Sequence, residues 1–214
     1  MNNKTIETRL LSSLVKVFSD EELTAQPWKN GSMLSNEVYS FQIAYMFLTL
    51  SIASDPELAA SVLLRQVVSI PSDLPIYEEH DDNILRAEPG LFPDLLVPIE
   101  GSISVTKEWQ SVWITVNAEK QTIPAGPYSI KVSIMGQDSE EVFASETFEL
   151  GVIDEKLPEQ SLIHTMWFHT DCLATWYEDE VFSEAHWERI DQYIKTAVEH
   201  GVNMILTPIF TPPL

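Results

Sequence analysis

SLIHTMWFHTDCLATWYEDEVFSEAHWERIDQYIKTAVEHGVNMILTPIFTPPL, residues 161–214, decides the fold. From Leu162 to Cys172 the chain alternates like a strand. Leu162, Met166 and Phe168 fall on one face; Trp167, His169 and Asp171 fall on the other. A well-punctuated helix follows. Ser183 suits its N-cap, Phe182 can staple onto Trp187, and Trp187, Ile190, Ile194, Ala197 and Val198 share one face. Gly201 stands where a left-handed C′ residue is wanted. Val202 to Phe210 gives a second apolar strand, ended by Thr211-Pro212-Pro213. Two strands joined through a helix predict a parallel, right-handed βαβ unit. An aromatic, a histidine and a carboxylate near the C-terminal end of the first strand form the arrangement by which a (β/α) barrel presents a site at its top face.

Upstream, Asp154 to Gln160 is charged, carries Pro158, and reads as a linker. Before it the pattern changes to short strands at intervals of about a dozen residues, the spacing of an antiparallel β-sandwich. Thr5–Phe18 (with a helix as its competing reading), Asn36–Leu50, Leu58–Ile70, Gly101–Val116, Tyr128–Met135 and Glu141–Ile153 are the expected strand regions. Asn30-Gly31, Asp55-Pro56, Pro124-Ala-Gly126-Pro127 and Gly136-Gln-Asp-Ser139 are the expected turns or breaks. Five prolines and many acids between Pro71 and Pro98 predict a loop with one short strand at most. The fold class is thus mainly β: an antiparallel β-sandwich over residues 1–155, then the first β-α-β unit of a (β/α)8 barrel over 156–214.

Three motifs carry a resemblance to a known family. HTDCLA at 169–174, VFSEAHW at 181–187 and GVNMILTPIFTPPL at 201–214 resemble the opening of the catalytic barrel of glycoside hydrolase family 123 and its relatives. Trp109, Trp113 and the PAGPY run at 124–128 resemble the sandwich that precedes that barrel. The resemblance implies hydrolysis of a glycosidic bond, with an N-acetylhexosaminide as substrate and its 2-acetamido group as nucleophile, aided by an adjacent Asp-Glu pair. That pair belongs to a later barrel strand. Glu178-Asp179-Glu180 lies in the loop before the helix and is not its counterpart, so no catalytic residue is assigned here. The 214 residues hold only the start of a barrel, which normally needs about 250, and are expected to be inactive alone.

Candidate substrate-binding residues are His169, Asp171, Trp167, Thr207 and Trp176. An indole can stack on the apolar face of a pyranose while His and Asp bind its hydroxyls or amide. The competing reading has Trp167 filling the barrel interior and His169 pairing with Asp171. For Trp167 the packing reading takes precedence; for the other two both readings stand. Thr207 and Thr211 end the second strand and can serve as local hydrogen-bonding residues instead. Trp176 and Tyr177 sit in the loop above the first strand, where packing competes with a sugar subsite.

Other chemistries find little support. A net charge of −21 with twelve Lys and Arg leaves nothing to replace counterions on phosphates, so nucleic acid is excluded as a partner. The longest apolar run, Phe41–Leu50, is too short for a membrane span, and the N-terminus lacks a signal-peptide pattern. A cytoplasmic location is the default. The single cysteine, Cys172, forms no internal disulfide and is expected to be buried in its strand. No metal or cofactor is called for. His164 and His169 point to opposite strand faces, His186 and His200 are fourteen residues apart on the helix, and His80 sits in an acidic turn lacking a calcium-loop glycine.

A second function class remains: a non-catalytic carbohydrate-binding or structural sandwich. Trp28, Trp109 and Trp113 discriminate, since exposure in a row favours sugar binding and burial favours buttressing. Burial is the expectation for Trp113, which lies in a core-like run. Two strands and one helix also cannot cover their own apolar faces, so the remainder of a barrel, the sandwich or another copy must do so.

Overall fold

The computed structural model describes residues 7–46, 49–73, 76, 79–99, 108–119, 121–135 and 142–207. The polypeptide forms two compact units, residues 1–157 and 158–214. The expected hairpin turn at 136–139, the GSISV run at 101–105 and the end of the last strand at 208–214 lie outside the described residues.

The first unit contains nine strands and one short helix among its described residues: β1 (Thr8–Ser12), β2 (Asn30–Leu34), β3 (Val38–Tyr45), β4 (Thr49–Ser54), α1 (Pro56–Ala59), β5 (Val62–Ser72), β6 (Gly90–Pro98), β7 (Gln110–Asn117), β8 (Gly126–Met135) and β9 (Val142–Ile153). One sheet runs β1-β3-β7-β5-β6 and is antiparallel throughout. The other runs β2-β9-β8-β4, with β2 parallel to β9 and the remaining pairs antiparallel.

Alternation explains why the sheets stack. Phe41, Ile43 and Tyr45 of β3 and Val112, Ile114 and Val116 of β7 face one way. Ile130, Val132 and Ile134 of β8 and Phe148, Leu150 and Val152 of β9 join them in one buried cluster. Phe41 and Phe148 stack at 3.9 Å with their planes 9° apart, locking the two sheets together. The opposite face of the five-stranded sheet carries Ser111, Thr115 and Gln42, all buried. The chain after β1 covers it. Gln42 donates to the carbonyls of Ser12 and Val15 at 3.0 and 2.6 Å, and Leu11, Val17, Leu23, Ala44 and Trp109 form a second apolar cluster.

Several sequence expectations are corrected. Asn30-Gly31 is not a turn but the start of β2, recruited by parallel pairing with Glu149 and Leu150. The Asn36–Leu50 region divides into β3 and β4, which belong to different sheets. The expected strand at Leu58 begins as helix α1, with proline at its start, and becomes strand only from Val62. Between Pro71 and Pro98, where a loop with one short strand at most is expected, residues 90–98 form the nine-residue strand β6. It is an edge strand, where Pro93 and Pro98 cost no ladder partner. β1 stops at Ser12, well short of Phe18.

In the second unit, β10 (Thr165–Trp167), α2 (Asp171–Tyr177), α3 (Glu184–Glu199) and β11 (Met204–Leu206) follow in order. β10 and β11 are parallel, in the register Thr165↔Met204, Met166↔Ile205, Trp167↔Leu206. The strand expected to reach Cys172 stops at Trp167, and Asp171 and Cys172 lie in α2. The run from Asp171 to Tyr177 offers Leu173 and Ala174, both buried, to a helix face, and this outweighs the strand-like alternation before it. Cys172 is consequently exposed rather than buried, its thiol donating to the His169 carbonyl at 2.7 Å.

The α3 boundaries follow their sequence signals. Ser183 Oγ accepts the His186 N–H at 3.3 Å, and the Phe182 and Trp187 rings stack at 5.7 Å. At the other end, Gly201 has φ 82°; its N–H bonds the Val198 carbonyl and the Val202 N–H bonds the Ala197 carbonyl, the pairing of a Schellman motif. The apolar face is only partly used. Ile190 is buried, whereas Trp187 and Val198 are exposed.

Candidate functional site

The candidate residues gather at the C-terminal edge of the β10–β11 pair. Parallel strands bring their C-terminal ends to the same side, so the chain leaving Trp167 and the chain leaving Leu206 emerge together. The Phe168 N–H closes this edge onto the Leu206 carbonyl at 3.0 Å. Register places Thr165, Trp167, Met204 and Leu206 on one face and Met166 and Ile205 on the other.

Trp167 is 68% exposed, and its ring lies 6.0 Å from that of His169 with 21° between the planes. The two form a nearly flat, open aromatic step at the strand end. Such a step can accept the C–H face of a sugar ring, leaving hydroxyls and amide for polar side chains around it. Asp171 does not share this strand face. It is half-buried as the first residue of α2, and its backbone carbonyl accepts from Thr175 Oγ1 at 3.2 Å. Thr207 is exposed one residue beyond β11, next to the Trp167↔Leu206 pair. Trp176 lies in α2, 79% exposed, rather than in a loop. Trp167, His169 and Thr207 therefore share one edge, with Asp171 opening the helix beside it.

On the other face of the strands, Met166, Phe168, Tyr193, Ala197, Val202 and Ile205 line an apolar cavity of about 600 Å³ between the strand pair and α3. Its lining offers packing surface and few polar groups.

A polar cluster that sequence reasoning did not foresee ties α2 to α3. Arg189 places its guanidinium 4.5 Å above the Tyr177 ring, and Asp179 Oδ2 lies 3.6 Å from Arg189 Nε. The hydroxyls of Tyr177 and Tyr193 are 3.1 Å apart. That hydrogen bond, aided by burial, raises the Tyr193 phenol above its ordinary value. His186 was also passed over. It is fully buried, with Nδ1 accepting the Phe182 N–H at 2.9 Å and Nε2 bonded to the Thr170 carbonyl at 2.7 Å. The available signal was its place three residues after Ser183, where a capping box carries Glu or Gln reaching back to the preceding backbone.

In the first unit, Trp109 is buried, Trp113 is half-buried and Trp28 is exposed, its Nε1–H donating to Tyr39 Oη at 3.1 Å. Trp113 lies on the outer sheet face with Ser111 and Thr115, not in the main core. The three indoles do not form an exposed row. Among the described residues there is no cluster of three or more His, Cys, Asp or Glu side chains able to hold a metal ion, and no helix long and apolar enough to cross a membrane.

Residues 167–214 match the model of the glycoside hydrolase 123 catalytic domain. No curated protein matches the chain. Among solved structures, the chain is similar to a family 123 glycoside hydrolase from Clostridium perfringens, studied for the details of glycolipid glycan hydrolysis. The TM-score is 0.73 at 13% identity, over 94% of this chain and 38% of that one. At that identity the likeness shows the fold. AvmM, which catalyzes macrocyclization in alchivemycin A biosynthesis, covers 73% of this chain and 94% of its own at 11% identity, but its TM-score of 0.31 carries no argument. The chain thus resembles family 123 glycoside hydrolases, in sequence over residues 167–214 and in fold over nearly its whole length.

Proposed function

We propose that the chain is the front portion of a glycoside hydrolase acting on N-acetylhexosaminides, with the C-terminal edge of β10 contributing to the sugar site. The observation that carries this reading is the open Trp167–His169 step at the end of a parallel strand, inside the segment that matches the family 123 catalytic domain. In this reading the indole and imidazole support the sugar's apolar face. Asp171, Thr207 and Trp176 supply polar and stacking contacts at its rim.

The reaction is substrate-assisted. The sugar's 2-acetamido oxygen attacks the anomeric carbon while an acid protonates the departing glycosidic oxygen. The Asp-Glu pair for this chemistry belongs to the rest of the barrel, since Asp179 is occupied with Arg189. The exposed apolar residues that take no part in the aromatic step, Met204 and Leu206, are then covered by further barrel strands or, in their absence, by another copy. Assayed with a nitrophenyl N-acetylhexosaminide, the purified 214-residue chain is expected to release no nitrophenol, while a chain extended through a whole barrel does. Inhibitor-sensitive release by the shorter chain defeats this assignment.

The other reading, a sandwich that binds sugar by itself, loses support from the buried Trp109 and half-buried Trp113. A buttressing role suits the sandwich better.

A further inference from the structure

We infer that His186 is the positioning residue for the backbone that carries His169 and Asp171; the inference rests on the reading of those two residues as substrate-binding groups. Thr170 lies between them, and His186 holds its carbonyl at 2.7 Å. The direction of both ring bonds is fixed by the backbone. Nδ1 accepts the Phe182 N–H at 2.9 Å, so it carries no proton, and the proton on Nε2 donates to Thr170. The same Thr170 carbonyl accepts the Leu173 N–H at 3.1 Å, so the first turn of α2 and the first turn of α3 share one acceptor.

The second bond has its own consequence. Phe182 has φ 62°, a left-handed conformation that costs a non-glycine residue. The imidazole satisfies its amide and keeps the entry to α3 in that shape. A histidine serving only to fill space needs no such pair of partners. Here one buried ring joins the strand-end segment 169–171 to the helix-entry segment 182–186, and thereby sets where the His169 ring lies against Trp167.

Two conservative variants separate the bonds. In His186→Gln the amide nitrogen falls where Nε2–H stood, so the Thr170 bond is retained. In His186→Asn the amide oxygen falls where Nδ1 stood, so the Phe182 bond is kept and the Thr170 bond is lost. The measurement is backbone hydrogen exchange by NMR on the 214-residue chain, with Ile190→Val as a control for general loosening of α3. His186→Asn is expected to speed exchange at the α2 amides, Leu173 first, by about tenfold over any change in mid-α3, the factor that goes with one lost hydrogen bond. His186→Gln is expected to leave the α2 amides close to the parent and to speed exchange only at the α3 entry, where the Phe182 amide loses its acceptor. Equal acceleration of α2 and α3 in both variants, or no acceleration in the Asn variant, overturns the inference.

If the Asn variant does not fold, the parent's long-range ¹H–¹⁵N imidazole spectrum decides. A slowly exchanging proton on Nε2 with Nδ1 bare is expected; a proton on Nδ1, or rapid exchange, overturns the inference. Adding N-acetylgalactosamine to the parent chain tests the underlying reading separately. Perturbed Trp167 and His169 signals uphold it. Unperturbed signals remove the substrate-binding role and leave the exchange result to judge the positioning role by itself.

Discussion

At the residue scale, two left-handed positions in the second unit should respond with opposite signs. Glu178 caps α2 at φ 57° and Gly201 follows α3 at φ 82°. A side chain at φ near +60° strains the backbone, so Glu178→Gly is expected to be neutral or to stabilise by up to about 1 kcal/mol, whereas Gly201→Ala should destabilise by about 1 kcal/mol. Thermal melts of both variants check the pair, and a loss in the Glu178 variant contradicts the strain argument. Gly31 makes a different case, because its constraint is space. A Cβ there would stand 2.1 Å from Tyr39 Oη and 2.4 Å from Cζ. Gly31→Ala therefore has to push the Tyr39 ring aside and break the Trp28 Nε1–H bond to its hydroxyl. A loss of about 1–2 kcal/mol, with a changed Trp28 fluorescence, is expected. Unaltered emission and stability would mean that the ring yields freely.

At the element scale, α3 depends on its cap because so little of it is buried. Removing the Ser183 hydroxyl by Ser183→Ala frees the His186 N–H and should cost about 1 kcal/mol, read as faster exchange in the first turn of α3 while the β7–β9 amides stay unchanged. Signals of this kind were legible in sequence because they are local: Ser183 as N-cap, Phe182 against Trp187 and Gly201 at C′ all follow from spacing alone. The parallel pairing of β10 with β11 was equally readable, since a strand, a helix and a second apolar run admit few other arrangements. What escaped depends on partners remote in sequence. β2 begins on an Asn-Gly pair because β9 supplies a parallel neighbour about 120 residues later, a pairing that no local pattern encodes. β6 carries proline and acid because it lies at a sheet edge, and edge position is a property of the assembled sheet. At the candidate site, Trp167 and His169 were placed from alternation, but Asp171 was misassigned to their strand face. The short polar run His169-Thr170-Asp171 fits the end of a strand and the start of a helix alike. His186 was missed because histidine is not the residue a capping box normally carries.

At the scale of the whole molecule, the two units differ in the amount of core they own. The sandwich buries a continuous cluster drawn from both sheets, whereas the second unit buries Leu173, Ala174, His186, Ile190 and Val202. Small cores open first, so exchange in α3 should proceed through lower-energy openings than exchange in β7, β8 and β9. Alkaline pH, read through the β-sheet signal, gives a probe of the sandwich core. Tyr45 is buried and donates its hydroxyl to Gln110 Oε1 at 3.0 Å, and burial pushes its phenol up to about 12 from an ordinary value of 10.0. The folded state thus holds a proton that the unfolded chain releases nearer 10. The stability this confers is complete below pH 10 and is lost as pH rises towards 12, at no more than about 1.4 kcal/mol per pH unit. Urea unfolding followed by β-sheet circular dichroism should show that decline between pH 10 and 12. Tyr45→Phe should flatten it while lowering stability at neutral pH by about 1 kcal/mol, since the Gln110 amide loses its donor. An equally steep decline in the Phe variant would assign the alkaline sensitivity to the protein's general negative charge of −21 instead of to this one buried phenol.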